Sequence, residues 1–98
     1  MNIVILGAGT VGGLIAEMLC QYDHSITLVD QDADMVRRAN EELDVRAIHG
    51  SASQSSVLFQ AGIISADICL AVTGGDETNL VAASMAKAMG AHVVVDPS

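Results

Sequence analysis

The sequence is poor in aromatic residues, in basic residues and in long apolar runs, and each shortage argues against a class of protein. Tyr22 and Phe59 are its only aromatic side chains and it has no Trp, yet 51% of its residues are apolar. The core must therefore be assembled from Val, Ile, Leu, Ala and Met, the composition of a parallel sheet covered by helices on both faces. Four basic residues stand against twelve acidic ones, for a formal net charge of −8. Such a surface repels polyphosphates at long range and disfavours a nucleic-acid partner, so a small anionic ligand has to be held by local backbone dipoles. No apolar stretch approaches the roughly 20 residues that span a bilayer, and no basic segment precedes an apolar one in the manner of a signal peptide. The expectation is a cytoplasmic domain with no direct membrane insertion. Cys20 and Cys69, the two cysteines, sit among apolar neighbours without CxxC or Cys/His metal spacing and are expected to be core thiols.

A length of 98 residues suits one domain and no more, spanning 1–98. Ile3-Val4-Ile5-Leu6 is an uninterrupted β-branched run closed by glycine, the pattern of a strand buried on both faces. Val11, Leu14, Ile15, Met18 and Leu19 then recur at helical spacing and predict the inward stripe of a first helix, with Gly13 a weak spot. Residues 26–30 form a second strand, followed by a helix capped by Asp32 or Asp34 that turns Met35, Val36, Ala39 and Leu43 inward. Residues 45–49 make a third strand. Ser51 or Ser53 offers a cap to a helix that buries Val57, Leu58 and Ala61 and ends at Gly62. Residues 66–73 form a fourth strand, 77–89 a small-residue helix ending at Gly90, and 93–95 a fifth strand. Strict alternation of strand and helix implies right-handed crossovers and an α/β, doubly wound, Rossmann-like parallel sheet.

Gly7-Ala8-Gly9-Thr10-Val11-Gly12 spells G-x-G-x-x-G between the first strand and the first helix, the context in which that spacing binds a dinucleotide. Gly7 permits the tight turn, Gly9 lets backbone approach a pyrophosphate, and Gly12 lets helix and strand pack closely. Phosphates then face free N–H groups at the positive end of the helix. An acid at the end of the second strand completes the fingerprint by accepting bonds from ribose hydroxyls, and Asp30 stands there. Its charge, followed by Gln31 and with no Arg before Arg37, favours NAD over NADP.

Ligands in such sheets lie beyond the carboxyl ends of the strands, so Gly50-Ser51-Ala52 and Thr73-Gly74-Gly75 are expected to line the same crevice. Ser51 is placed to bond adenine or ribose, and Gly74-Gly75 to let backbone pass close to the ligand. Asp76, Glu77 and Asn79 are read as caps of the helix they begin. His24, His49 and His92 show no spacing of a metal site or a catalytic relay and are read as structural or solvated.

Residues 5–12, Leu28-Val29-Asp30, His49-Gly50-Ser51-Ala52-Ser53 and Ala71-Val72-Thr73-Gly74-Gly75-Asp76-Glu77-Thr78-Asn79 together resemble the N-terminal nucleotide-binding domain of Trk potassium-uptake regulators, the RCK or KTN domain. The resemblance covers nearly the whole chain, and the fourth-strand segment is its most specific part. It implies a regulatory domain rather than an enzyme. The domain would bind NAD(H), or ATP, ADP or AMP, assemble as a homodimer or higher homo-oligomer, and act on a potassium channel or transporter membrane subunit. By position, Gly7 to Val11 would hold the phosphates, Asp30 the ribose, Ser51 the adenosine side and Thr73-Gly74 the far wall, with Gly12, Gln31 and Ala52 also counted among the cofactor-binding residues. The sequence departs from the family pattern in having Ser51 where an acid is common and no arginine on the fifth strand, which weighs against a triphosphate.

A full six-stranded Rossmann unit needs a further helix and strand, so the chain reads as a domain cut before them, with its fifth strand left as an apolar edge. The alternatives are the cofactor half of an NAD-dependent oxidoreductase, whose acid, base and substrate-positioning groups would lie elsewhere, and a domain holding S-adenosylmethionine.

Overall fold

A computed structural model describes residues 1–96. Five strands alternate with helices in the order β1 (Asn2–Leu6), α1 (Thr10–Leu19), β2 (Ser25–Asp30), α2 (Ala33–Glu42), β3 (Arg46–His49), α3 (Ser55–Gln60), a 3₁₀ turn (Ile63–Ser65), β4 (Ile68–Ala71), α4 (Asp76–Met89) and β5 (Val93–Val95). The strands form one parallel sheet in the order β3-β2-β1-β4-β5. The chain thus steps outward from β1 to β3 and returns to lay β4 on the other side of β1. That reversal leaves a crevice at the carboxyl ends of the central strands, the position at which doubly wound sheets bind ligands.

Period-two alternation explains why β1 reads as a continuous apolar run. Val4 and Leu6 face one layer with Val29, Leu58, Ile63, Cys69, Ala82 and Ala86, while Ile3 and Ile5 face the other with Ile26, Leu28, Ala16 and Ala39. Both faces of β1 are therefore covered, and each fully buried Ile or Leu contributes about 1.5–3 kcal/mol relative to exposure.

The face by which α1 meets the sheet differs from the expected one. Gly12 and Ala16 are buried, whereas Val11, Leu14 and Met18 are 55%, 57% and 65% exposed. The cause lies in Gly12, which must face the strand for helix and turn to pack. Residues three, four and seven positions on, Ile15, Ala16 and Leu19, then follow it inward, and the larger side chains form a second stripe that points to solvent, continued by exposed Tyr22.

Smaller differences have equally local causes. The Asp32 carboxylate accepts from the amides of Asp34 and Met35 and caps α2 as expected. α3 starts only at Ser55, after Gln54, which makes no side-chain cap. Ser51 and Ser53 instead bond each other at 2.8 Å. β4 ends at Ala71, two residues before the predicted end, because Thr73 is drawn away into a turn. Cys69 is fully buried, and burial pushes its thiol up to about 12, whereas Cys20 is only half-buried and donates to the Glu17 carbonyl. β5 is an edge strand, with Val93 and Val95 exposed.

Candidate functional site

A cleft of about 470 Å³ opens at the carboxyl end of the sheet. Its floor and near wall are Gly7, Gly9, Thr10 and Val11, its second-strand side is Val29, Asp30 and Gln31, and its far wall runs from Val72 to Gly75 and on to Thr78. Gly50 and Ala52 close it beyond β3. Among the residues predicted for the site, Ala8, Gly12 and Ser51 do not line it.

The near wall follows from three glycines with three different surroundings. Gly7 has φ +111°, and a Cβ there would come within 2.8 Å of the Thr73 backbone; the turn thus needs glycine both for its dihedral and for the approach of the far wall. A Cβ on Gly12 would run into the carbonyl oxygen of Gly7, so this position is structural and sits beneath the turn. Around Gly9 a Cβ would meet nothing within 4 Å, because that side faces the open cleft. α1 then begins with no side-chain cap and no acidic residue in its first turn. Its amides and the positive end of its dipole face the cleft unopposed.

Asp30 joins two turns before it meets any ligand. Its Oδ2 accepts from the Ala8 amide at 2.7 Å and its Oδ1 from the Asp32 amide at 2.7 Å. Ala8 therefore serves the acid rather than the cleft, and its own side chain is buried. Bonds from backbone N–H to a carboxylate are among the stronger ones, and each oxygen keeps a further lone pair for a hydroxyl donor. The carboxylate thus arrives already oriented. Next to it, the His49 imidazole bonds the Gln31 carbonyl through Nε2 at 2.8 Å and holds the chain leaving β2.

The far wall is organised by a residue that sequence reasoning assigned to helix capping. α4 has no side-chain cap at Gly75. Asn79 instead is the polar side chain buried among the described residues, 4% exposed, and all its bonds go to Thr73. Its Oδ1 accepts from the Thr73 amide at 2.8 Å and from the Thr73 hydroxyl at 2.6 Å, while its Nδ2 donates to the Thr73 carbonyl at 3.1 Å. The Thr73 Oγ1 also lies 3.3 Å from the Gly75 amide, which donates to it. The Thr73 hydroxyl is therefore turned toward its own loop, and Thr73 offers the cleft its backbone. Gly50 and Gly75 line the cleft as expected, whereas Val29, Val72 and Thr78 also line it and were missed. For Thr78 the signal was its place in the first turn of a helix whose start faces the crevice.

Among the described residues, no basic side chain lines the cleft. Arg37 reaches Asp34 and Glu41, Arg46 donates to the Gln60 carbonyl, Arg38 sits in the groove between α1 and α2, and Lys87 lies in the last turn of α4. An anion here would be met by neutral donors, the α1 amides first among them.

Residues 3–96 match the family model of the TrkA-N domain. The chain belongs to the TrkA-N domain family. It is 48% identical over 86 residues to the Trk system potassium uptake protein TrkA of Halomonas elongata, covering 88% of this chain and 19% of that protein. Against the TrkA homolog of Archaeoglobus fulgidus the identity is 44% over 95 residues, covering 97% of this chain and 21% of that one. This TrkA-N chain spans about a fifth of the length of these curated relatives. Solved structures share its fold, among them two with a bound nucleotide. The GsuK channel bound to NAD superposes with a TM-score of 0.83 at 17% identity, over 99% of this chain and 18% of that chain. The Kef C-terminal domain of Shewanella denitrificans in its AMP-bound form superposes with a TM-score of 0.83 at 15% identity, over 98% and 58%.

Proposed function

We propose that the cleft binds NAD(H) through its adenosine diphosphate portion, and that the domain is the ligand-sensing part of a regulator of potassium uptake. The observation that carries this reading is the Asp30 carboxylate, held beside the uncapped start of α1 in one cleft. The α1 amides would meet the pyrophosphate, and the free lone pairs of Asp30 would meet the ribose hydroxyls. Gly50 and Ala52 border the adenosine side, and Ser51 supports that loop through Ser53. The negative charge of Asp30 opposes a 2′-phosphate, which favours NAD(H) over its phosphorylated form.

AMP, ADP and ATP share the same adenosine and are ranked by charge. With amides but no cation to meet them, each extra terminal phosphate adds charge against a protein of net −8, so AMP binds better than ATP. The regulatory role, as opposed to a catalytic one, is supported by the potassium-uptake names of the TrkA relatives. The domain would work in the cytoplasm on a membrane channel or transporter subunit, and would self-associate as a homodimer or larger assembly. The exposed stripe of Val11, Leu14 and Met18 on α1, with Tyr22 just beyond it, supports that assembly, since solvent-facing apolar patches commonly mark interfaces.

The test is calorimetric titration with NADH, NAD, AMP, ADP, ATP and S-adenosylmethionine, on the wild-type domain and on Asp30→Ala. NADH binding that weakens about 10–100-fold in the variant is expected, from the loss of one or two bonds to a charged acceptor. A domain that binds no adenine nucleotide, or an Asp30→Ala variant that binds as well as wild type, would sink the proposal.

A further inference from the structure

The mechanism above uses the Asp30 side of the cleft and leaves a buried polar group on the other side without a function. A polar side chain withdrawn from water costs stability unless its bonds are met. Asn79 meets all of its bonds on one residue, Thr73, binding its amide, its carbonyl and its hydroxyl. A helix that needed only a cap would place that oxygen on its own first-turn amides, and α4 does without such a cap. Thr73 in turn holds the Gly75 amide on its hydroxyl and lies where a Cβ on Gly7 would strike it. Between Thr73 and Gly75, the exposed Gly74 lines the cleft and makes no hydrogen bond among the described residues.

We infer that Asn79 is a positioning residue for the ligand: it clamps Thr73 so that the free N–H of Gly74 is presented to a nucleotide lying on the α1 amides. This rests on the proposed nucleotide site and adds to it a second donor wall that no side chain in the cleft reveals. Asn79 never touches the ligand. It acts by removing the freedom of a loop that contains two successive glycines, the least constrained residues in a chain, so the wall is set before binding. Thr73 relays the clamp to Gly75 and shares in it. The ligand group recognised is an oxygen acceptor at the phosphate end of an adenine nucleotide, since the α1 amides and the Gly74 amide border the same space.

The experiment compares the wild-type domain with Asn79→Leu, of similar size but without the bonds, and with Thr73→Val, which keeps the two backbone bonds of Asn79 and loses the hydroxyl. Amide hydrogen exchange by NMR is read residue by residue, without ligand and then with saturating NADH, alongside calorimetric affinities. Without ligand, Asn79→Leu should expose the Thr73 amide while the β1 to β3 amides stay protected. With NADH, the Gly74 amide should become protected in wild type; in Asn79→Leu the Thr10 and Val11 amides should still gain protection but Gly74 should not. NADH affinity should fall about tenfold in Asn79→Leu, which frees the Thr73 backbone, and about threefold in Thr73→Val, which leaves that backbone held by Asn79.

A merely structural asparagine would change the melting temperature without separating Gly74 from Thr10 and Val11. That result, or an Asn79→Leu variant that binds NADH as wild type does, overturns the inference and leaves the nucleotide site standing. If Asn79→Leu does not fold, Thr73→Val decides: unchanged affinity and unchanged Gly74 protection overturn the positioning role. Wild-type protein that binds no nucleotide overturns the proposed function and this inference together, a result distinct from a wild type that binds beside an indifferent variant.

Discussion

The wall of the cleft made by β1 and α1 is shaped by missing side chains, whereas the wall made by β4 and α4 is held by one side chain that is present. On the first wall, Gly7 and Gly12 let backbone approach backbone, and Gly9 keeps the space above α1 clear. On the second, two glycines are left loose by their own nature and Asn79 secures them from behind through Thr73. Both walls present backbone N–H groups, but they reach rigidity by opposite routes, sterics in one and a buried hydrogen-bond network in the other. A steric wall should fail by clash, and a network wall by loss of order.

The harshest way to test that contrast is Gly12→Ala. Its Cβ must displace the Gly7 carbonyl, which pushes α1 off β1, and overpacking of this kind costs about 3 kcal/mol or more. The urea midpoint should drop steeply or folding should fail; a midpoint near wild type would mean that the first wall is not set by sterics.

Beneath the second wall, the buried thiol of Cys69 in β4 gives a pH handle. Its ordinary value is 9.0 and the fold raises it to about 12, so between those values the folded state keeps a proton that the unfolded state has lost. The unfolded state then binds fewer protons, and stability falls as pH rises through that window, by about 1.4 kcal/mol per pH unit from this group. Thermal denaturation at pH 8 and pH 10 should show the drop, and Cys69→Ala, although less stable throughout, should show a shallower one. An identical slope in the two proteins would remove Cys69 from the account.

Gly9→Ala sharpens the contrast within the first wall. With nothing within 4 Å of the new Cβ, the denaturation midpoint should move by no more than about 0.5 kcal/mol. The methyl nevertheless stands where a pyrophosphate would approach, and NADH affinity should fall about tenfold, equivalent to about 1.4 kcal/mol. A variant that binds normally would place the phosphates elsewhere.

The smallest effect on stability is expected on the outer face of the same helix. Leu14→Lys with Met18→Lys alters side chains 57% and 65% exposed, and should cost less than about 0.5 kcal/mol while reducing self-association in sedimentation velocity. Unchanged association would move the interface off α1.

Reading this chain from its residues succeeds where the governing interaction is short in sequence. The order of strands and helices follows from apolar runs and their periodicity, the turn after β1 from glycine at fixed spacing, the α2 cap from Asp32, and Asp30 from its place at the end of β2. It fails where a choice depends on what a residue meets through space. Of the inward stripe expected on α1, Ile15 and Leu19 do pack on the core, but Val11, Leu14 and Met18 do not, because the contact under the Gly7 turn admits only Gly12 and so rotates the helix. Ser51 was aimed at the ligand but found Ser53. Asn79 looked like one more polar residue at a helix start.

The sequence by itself determined the α/β alternation, the glycine turn and the acid opposite it, because sterics, dihedral preference and period act between residues a few positions apart. Tertiary structure alone decided which face of α1 the sheet accepts, that the Asp30 carboxylate is already fastened to the glycine turn, and that Asn79 clamps the far wall. Those outcomes depend on distances between β1, β2 and β4 that exist only once the sheet has formed.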